Sequence, residues 1–181
     1  MNREASPSGY LIRPSRTSDL AQLGAIERAA AHLFAGMSFA EAGVLEDVTE
    51  LEDFEEAHAD ENLWVASTPG GTPVGFAFVE EIGGCAHLDE LDVHPDHGRR
   101  GVGAALVRAV CTAARERGFP GVTLTTFRDV AWNAPFYEKL GFRALAAEEL
   151  SPELAALVRS EALRGLAPER RVVMRWTPQA P

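Results

Sequence analysis

The chain is predicted to form a mixed α/β domain of the α+β kind, with one mostly antiparallel sheet flanked by helices. Three observations carry that prediction. Strand-like runs recur at 63–66, 74–79, 86–93, 122–127 and 171–176, the 122–127 run rich in β-branched residues, bounded by Gly, Pro and Asn turns. Stretches with apolar residues at three- and four-residue spacing lie before, between and after them. The links at 68–71 and 83–84 are too short for a helical crossover, so those strands must run antiparallel.

The elements follow in order. Residues 10–13, just before Pro14, read as a short strand. Thr17, Ser18 and Asp19 are capping residues, and Leu20, Leu23, Ile26, Ala30 and Leu33 continue as the apolar positions of a helix. A Gly-containing loop at 36–43 leads to a second helical stretch, with Leu45, Val48, Leu51 and Phe54 on its apolar face. Thr68-Pro69-Gly70-Gly71 joins two strands as a hairpin, and Gly83-Gly84 turns the chain into the next strand. Residues 101–117 form a helix with Val102, Leu106 and Val110 along its stripe, stopped by Gly118. After the 122–127 strand come a short helix at about 132–140, ended by Gly141, and an extended stretch at 142–145. Ser151-Pro152-Glu153 starts a helix that runs to about Leu163, because Pro is favoured at the first helical position. The strand–helix–strand unit across 86–127 is expected to cross over right-handed.

No repeat or linker divides the 181 residues. The expected organisation is a flexible tail at 1–8, a main domain at 9–146, and a C-terminal helix and strand at 147–181 completing the same domain. The composition, 46% hydrophobic and 24% charged, is that of an ordinary globular protein. The net charge of -10 argues against broad binding to nucleic acid or anionic membranes. No apolar run approaches a membrane span, and residues 1–8 lack a signal peptide's apolar core. Cys85 and Cys111 are too few for a disulfide framework and read as buried residues of a cytoplasmic protein.

The acidity has an address. Residues 41–61 hold ten of the 27 acids and no Lys or Arg, which leaves seventeen acids against seventeen cations elsewhere. The plain reading is a solvated helix face; the sharper one is an acidic lip that attracts a cationic acceptor.

The chemistry concentrates where the 86–93 strand ends in Leu91-Asp92-Val93 and a loop, His97-Gly98-Arg99-Arg100-Gly101-Val102-Gly103-Ala104, opens a helix. A helix start offers free N–H groups and a positive dipole end, glycines permit close approach, and paired arginines add charge for a phosphate. Ala104-Ala105 stands where a Walker loop needs Lys-Ser/Thr, and Leu106 spoils a dinucleotide fingerprint. His94, Asp96 and His97 straddle a Pro turn and match no zinc template, so no metal is expected.

About thirty residues later stands Asn133-Ala134-Pro135-Phe136-Tyr137-Glu138-Lys139-Leu140-Gly141-Phe142. Together the two segments resemble the GCN5-related N-acetyltransferase (GNAT) superfamily, and element order extends the resemblance over 10–145. The resemblance implies a sheet of six to seven strands, splayed between Val93 and the 122–127 strand. It also implies acetyl-CoA as co-substrate: its pantetheine arm lies along Leu91, Asp92 and Val93, and its pyrophosphate on Gly98, Arg99, Arg100, Gly101, Val102, Gly103 and Ala104. Gly98 replaces the family's Gln or Arg, and Val130 replaces a cofactor-binding Asn, which leaves Asn133 as a candidate contact.

For the reaction, the resemblance casts Tyr137 as proton donor to the departing thiolate; its ordinary pKa near 10 keeps it protonated at neutral pH. Glu90, His87 and Asp89 are the candidate bases, with Glu90 foremost. Plain alternation puts His87, Asp89 and Leu91 on one face of the strand unless a bulge intervenes. The implied activity is direct acetyl transfer to a primary amine, small or peptidic. The alternatives are transfer of another acyl group or to another acceptor, and a non-catalytic acyl-CoA-binding module. A second copy of the chain is a candidate partner through the C-terminal segment.

Overall fold

The computed structural model describes residues 7, 9–37 and 48–178. Seven strands form one sheet: β1 (Leu11–Pro14), β2 (Leu63–Ser67), β3 (Pro73–Ile82), β4 (Cys85–Val93), β5 (Val122–Phe127), β6 (Arg143–Ala144) and β7 (Arg171–Trp176). Their order is β1-β2-β3-β4-β5-β7-β6, and every neighbouring pair is antiparallel except β4 with β5. The helices are α1 (Thr17–Ala31), α2 (Leu51–Ala59), α3 (Val102–Glu116), α4 (Ala134–Glu138) and α5 (Pro152–Leu163).

Local chemistry sets the helix ends. The Asp19 carboxylate accepts the Arg16 backbone N–H at 2.7 Å, satisfying a donor at the start of α1. Arg13 clamps the same carboxylate with two bonds of 2.6 and 3.0 Å. Ser151 Oγ accepts from the Leu154 N–H and starts α5 ahead of Pro152. Two sequence expectations are corrected. Leu33 falls in a 3-10 turn (His32–Phe34) rather than in α1, and α2 begins at Leu51 rather than near Leu45. Val48 is non-helical, and it packs instead against Gly24 of α1. Leu45, Glu41, Glu46 and Asp47, like most of the tail, lie outside the described residues.

Two cores sandwich the sheet. On one face Ala77, Val79, Leu88, Leu124 and Met174 pack against Val102, Leu106 and Val110 of α3 and Tyr137 of α4. On the other face Val65, Phe76 and Phe78 pack against Leu20, Leu23 and Ile26 of α1 and Phe54 of α2. α5 covers the β5 end of this second face, where its Glu161 bonds Thr125 and Arg171.

The strand pairing makes two features of consequence. Phe78 pairs with Glu90, but Val79 pairs with Leu88, so Asp89 is an extra, bulged residue in β4. Directly paired residues share a face. Glu90 and Asp92 therefore lie with Phe78 and Phe76 on the α1 face, whereas Leu91 lies with Ala77 on the α3 face. His87 pairs with Glu80, one residue past Val79, and so shares the α1 face with Glu90 and Asp92. Plain alternation from His87 through Asp89 to Leu91 is overturned: Leu91 is on the opposite face.

The second feature is a split. β4 and β5 pair only at Ala86↔Val122 and His87↔Thr123, then part, while β5 stays paired with β7 along all of 122–127. β7, from the C-terminal segment, is thus an internal strand of the sheet. Gly75 supports β4 beside the split: a Cβ there would meet the Asp92 carbonyl oxygen at 2.7 Å.

Candidate active site

A groove of about 960 Å³ opens where β4 and β5 part, and it reaches both faces of the sheet. On the α3 face it runs along Leu91 and Val93 to the 98–104 loop, Asn133, Phe136 and Tyr137. On the α1 face it is lined by Glu90, Asp92, Thr125 and Phe127 from the strands, Phe34 after α1, and Glu161 and Arg164 around the end of α5.

The loop at the start of α3 is shaped by its backbone. Arg99 (φ 56°) and Gly101 (φ 81°, the residue before the helix) both adopt the left-handed region, which turns successive N–H groups toward one side. No side chain caps α3, so its first N–H groups remain available to an anion. The two arginines diverge. Arg99 lines the groove, whereas Arg100 donates to Tyr10 Oη at 3.2 Å, and Tyr10 is also bonded to His97 Nδ1 at 2.9 Å.

The ionisable residues separate by environment. His87 is 1% exposed, hydrogen-bonded to Thr123 Oγ1 at 2.9 Å and outside the groove lining; burial lowers its pKa to about 4, so the ring is neutral. Asp89, at the bulge, is reached by solvent yet ringed by protein, and burial and then Glu80 raise it to about 6. Glu90 and Asp92 face each other in the groove as a coupled pair. Burial, then Glu27 and Asp89, pushes Glu90 up to about 8, and the side-chain bond with Asp92 pulls the other way. Asp92 is also raised well above the ordinary carboxylate range, mainly by burial and then by Glu90, and its Oδ2 is buried without a hydrogen-bond partner. Tyr137 lies across the gap on the α3 face. Burial raises its pKa, and the negative charges of Glu90 and Asp92 raise it further, so the phenol keeps its proton.

The site also holds residues the sequence reading did not single out. Glu27, buried on α1, accepts the Thr49 N–H and hydroxyl at 3.0 to 3.1 Å and faces Glu90. Its signal was legible: an acid interrupts the apolar stripe between Leu23 and Ala30. Arg171 and Glu161 form an ion pair at 2.8 Å beside Thr125, and nothing in their local sequence marks them. The acids of α2 lie elsewhere. Asp53, Glu56 and Asp60 line a separate recess of about 660 Å³ that shares only Asp89 with the groove.

A model of the acetyltransferase (GNAT) family matches residues 29–142. The chain belongs to the GNAT family. It is 33% identical over 88 residues to the peptidyl-lysine N-acetyltransferase YjaB of Salmonella typhimurium, covering 49% of this chain and 54% of that protein. It is 35% identical over 77 residues to the glucosamine 6-phosphate N-acetyltransferase of Trypanosoma brucei brucei, covering 42% of this chain and 43% of that protein. This GNAT chain thus spans about half the length of these curated relatives. Its fold is also that of the PaiA N-acetyltransferase from Thermoplasma acidophilum, solved in complex with coenzyme A. The TM-score is 0.67 at 18% identity, over 93% of this chain and 99% of that one.

Proposed function

We propose that this GNAT protein is an acetyl-CoA-dependent N-acetyltransferase that passes an acetyl group directly to a primary amine in a ternary complex. The observation that carries the reading is the split itself. A gap between β4 and β5 opens to both faces, with paired carboxyls on the α1 face and a protonated phenol on the α3 face.

The residues present fit acetyl-CoA as co-substrate. Beyond His87 the β4 edge facing β5 has no strand partner among the described residues, so its backbone groups from Leu88 to Val93 can receive an extended chain. The uncapped start of α3, with the 98–104 loop and Arg99, suits a pyrophosphate, and Asn133 lines the same side. Bound there, acetyl-CoA supplies an electrophilic thioester carbonyl and a thiolate leaving group.

The chain's own residues then have distinct tasks. Glu90 takes the proton from the attacking nitrogen, and its raised pKa makes it a stronger base than an ordinary carboxylate. Asp92, its own carboxyl raised by burial and by Glu90, holds Glu90 in place through the hydrogen bond between the two side chains. Tyr137 donates to the departing sulfur, where negative charge develops. The net movement is one proton from nitrogen to sulfur, one C–N bond formed and one C–S bond broken. His87 sits too deep to meet an amine and serves instead to tie β4 to β5 through Thr123.

The test is thiol release. Purified protein with acetyl-CoA should liberate CoA thiol when primary amines are added. Binding of acetyl-CoA without release for any amine in a broad panel would make the chain an acyl-CoA-binding module instead.

A further inference from the structure

The two lips of the gap carry different chemistry. β4 and β5 enter it at an offset of 36, from Ala86↔Val122 and His87↔Thr123, and the bulged Asp89 reduces the offset to 35. Continued on that register, Thr125 comes level with Glu90 and Phe127 with Asp92, and all four face the α1 side. One lip therefore bears carboxyls, and the other a hydroxyl followed by a phenyl ring.

That ring is the base of an aromatic wall. Phe34 lies against Phe127 with centroids 5.8 Å apart, and Trp132 against Phe34 at 5.9 Å. The Arg171 guanidinium covers another part of Phe127, 4.8 Å from its centroid, and Glu161 balances its charge. The outer members stay open: Trp132 is 45% exposed and Leu33, beside Phe34 on the same groove, is 49% exposed. The exposed faces of Trp132 and Leu33, beside buried carboxyls, are what a ligand with an amine at one end and an apolar body at the other would cover. Asp53 and Glu56 of α2 line the separate recess, and Arg164 lines the groove itself.

Resting on the acetyltransferase reading above, we infer that the acceptor is a primary amine on a short chain ending in an aromatic or similarly bulky apolar group, held by Phe34, Phe127 and Trp132. The amine enters between Glu90 and the gap, and the apolar group stacks on the wall.

The test compares four acceptors at saturating acetyl-CoA: 2-phenylethylamine, ethylamine, 1,4-diaminobutane and Nα-acetyl-lysine amide. The expected kcat/KM for 2-phenylethylamine is about 50-fold that for ethylamine, the gain from withdrawing a phenyl surface from water, and exceeds both other acceptors. In Trp132→Ala, a rim change that leaves the cores intact, the phenylethylamine-to-ethylamine ratio should fall about tenfold. A preference for the diamine or the lysine derivative, equal rates for phenylethylamine and ethylamine, or an unchanged ratio in Trp132→Ala would overturn this inference and leave acetyl transfer standing. Thiol release with no amine at all would overturn both.

Discussion

If Glu90 is the base, its environment writes itself into the pH profile. At neutral pH an ordinary glutamate is fully ionised and gives a flat profile. Held at about 8, Glu90 is ionised only to about 1% at pH 6, about 9% at pH 7 and half at pH 8. Only the ionised form accepts a proton, so kcat/KM should rise about tenfold from pH 6 to 7, about fivefold from 7 to 8, and then level off. The acceptor amine also titrates, so the assay uses a weakly basic amine such as trifluoroethylamine, mostly neutral across this range, with rates referred to its neutral form. Glu27→Gln is the diagnostic perturbation. It removes a negative charge that raises Glu90 while keeping an oxygen for Thr49, so the rise should move to lower pH. Glu90→Gln should abolish the rise. A profile that follows the pKa of each acceptor and ignores Glu27→Gln would refute the reasoning.

Three further outcomes follow. Tyr137→Phe removes only a hydroxyl and should lower kcat about 100-fold with KM for acetyl-CoA little changed, by steady-state thiol release. Arg171→Met strands the buried Glu161 carboxylate, an uncompensated charge worth about 3–5 kcal/mol, and should lower Tm by roughly 10 °C in a thermal melt. Gly75→Ala drives a methyl to 2.7 Å from the Asp92 carbonyl oxygen. It should cost about 1–3 kcal/mol in denaturant titration and lower activity, because β4 must shift at the groove.

Local chemistry made much of this legible. The hairpins at 68–71 and 83–84, the cap at Ser151, the strand at Val122–Phe127 and the glycine-rich start of α3 each rest on residues within a few positions of one another. The two segments around Gly101 and Tyr137 likewise carried the family resemblance and its site residues. The misjudged start of α2 shows the limit. Leu45 and Val48 keep helical spacing with Leu51 and Phe54, but Val48 is drawn to Gly24 on another helix, and spacing does not record that contact.

By itself the sequence determined most element types, the glycine-rich turn that starts α3 and which titratable residues lie close to it in the chain. Tertiary structure decided which of those groups meet. β3 and β4 pair on both sides of Asp89 with registers one residue apart, and that single bulged residue puts His87 on the face of Glu90 and Asp92 and leaves Leu91 on the other. Burial then ranked the candidates, closing His87 beneath Thr123 while leaving Glu90 raised beside Asp92 in the groove. Phe34, Phe127 and Trp132 form one wall because the fold brings the turn after α1 against the end of β5 and the segment that follows it. Pairing register and desolvation are properties of neighbours distant in the chain, so no local pattern in the sequence could carry them.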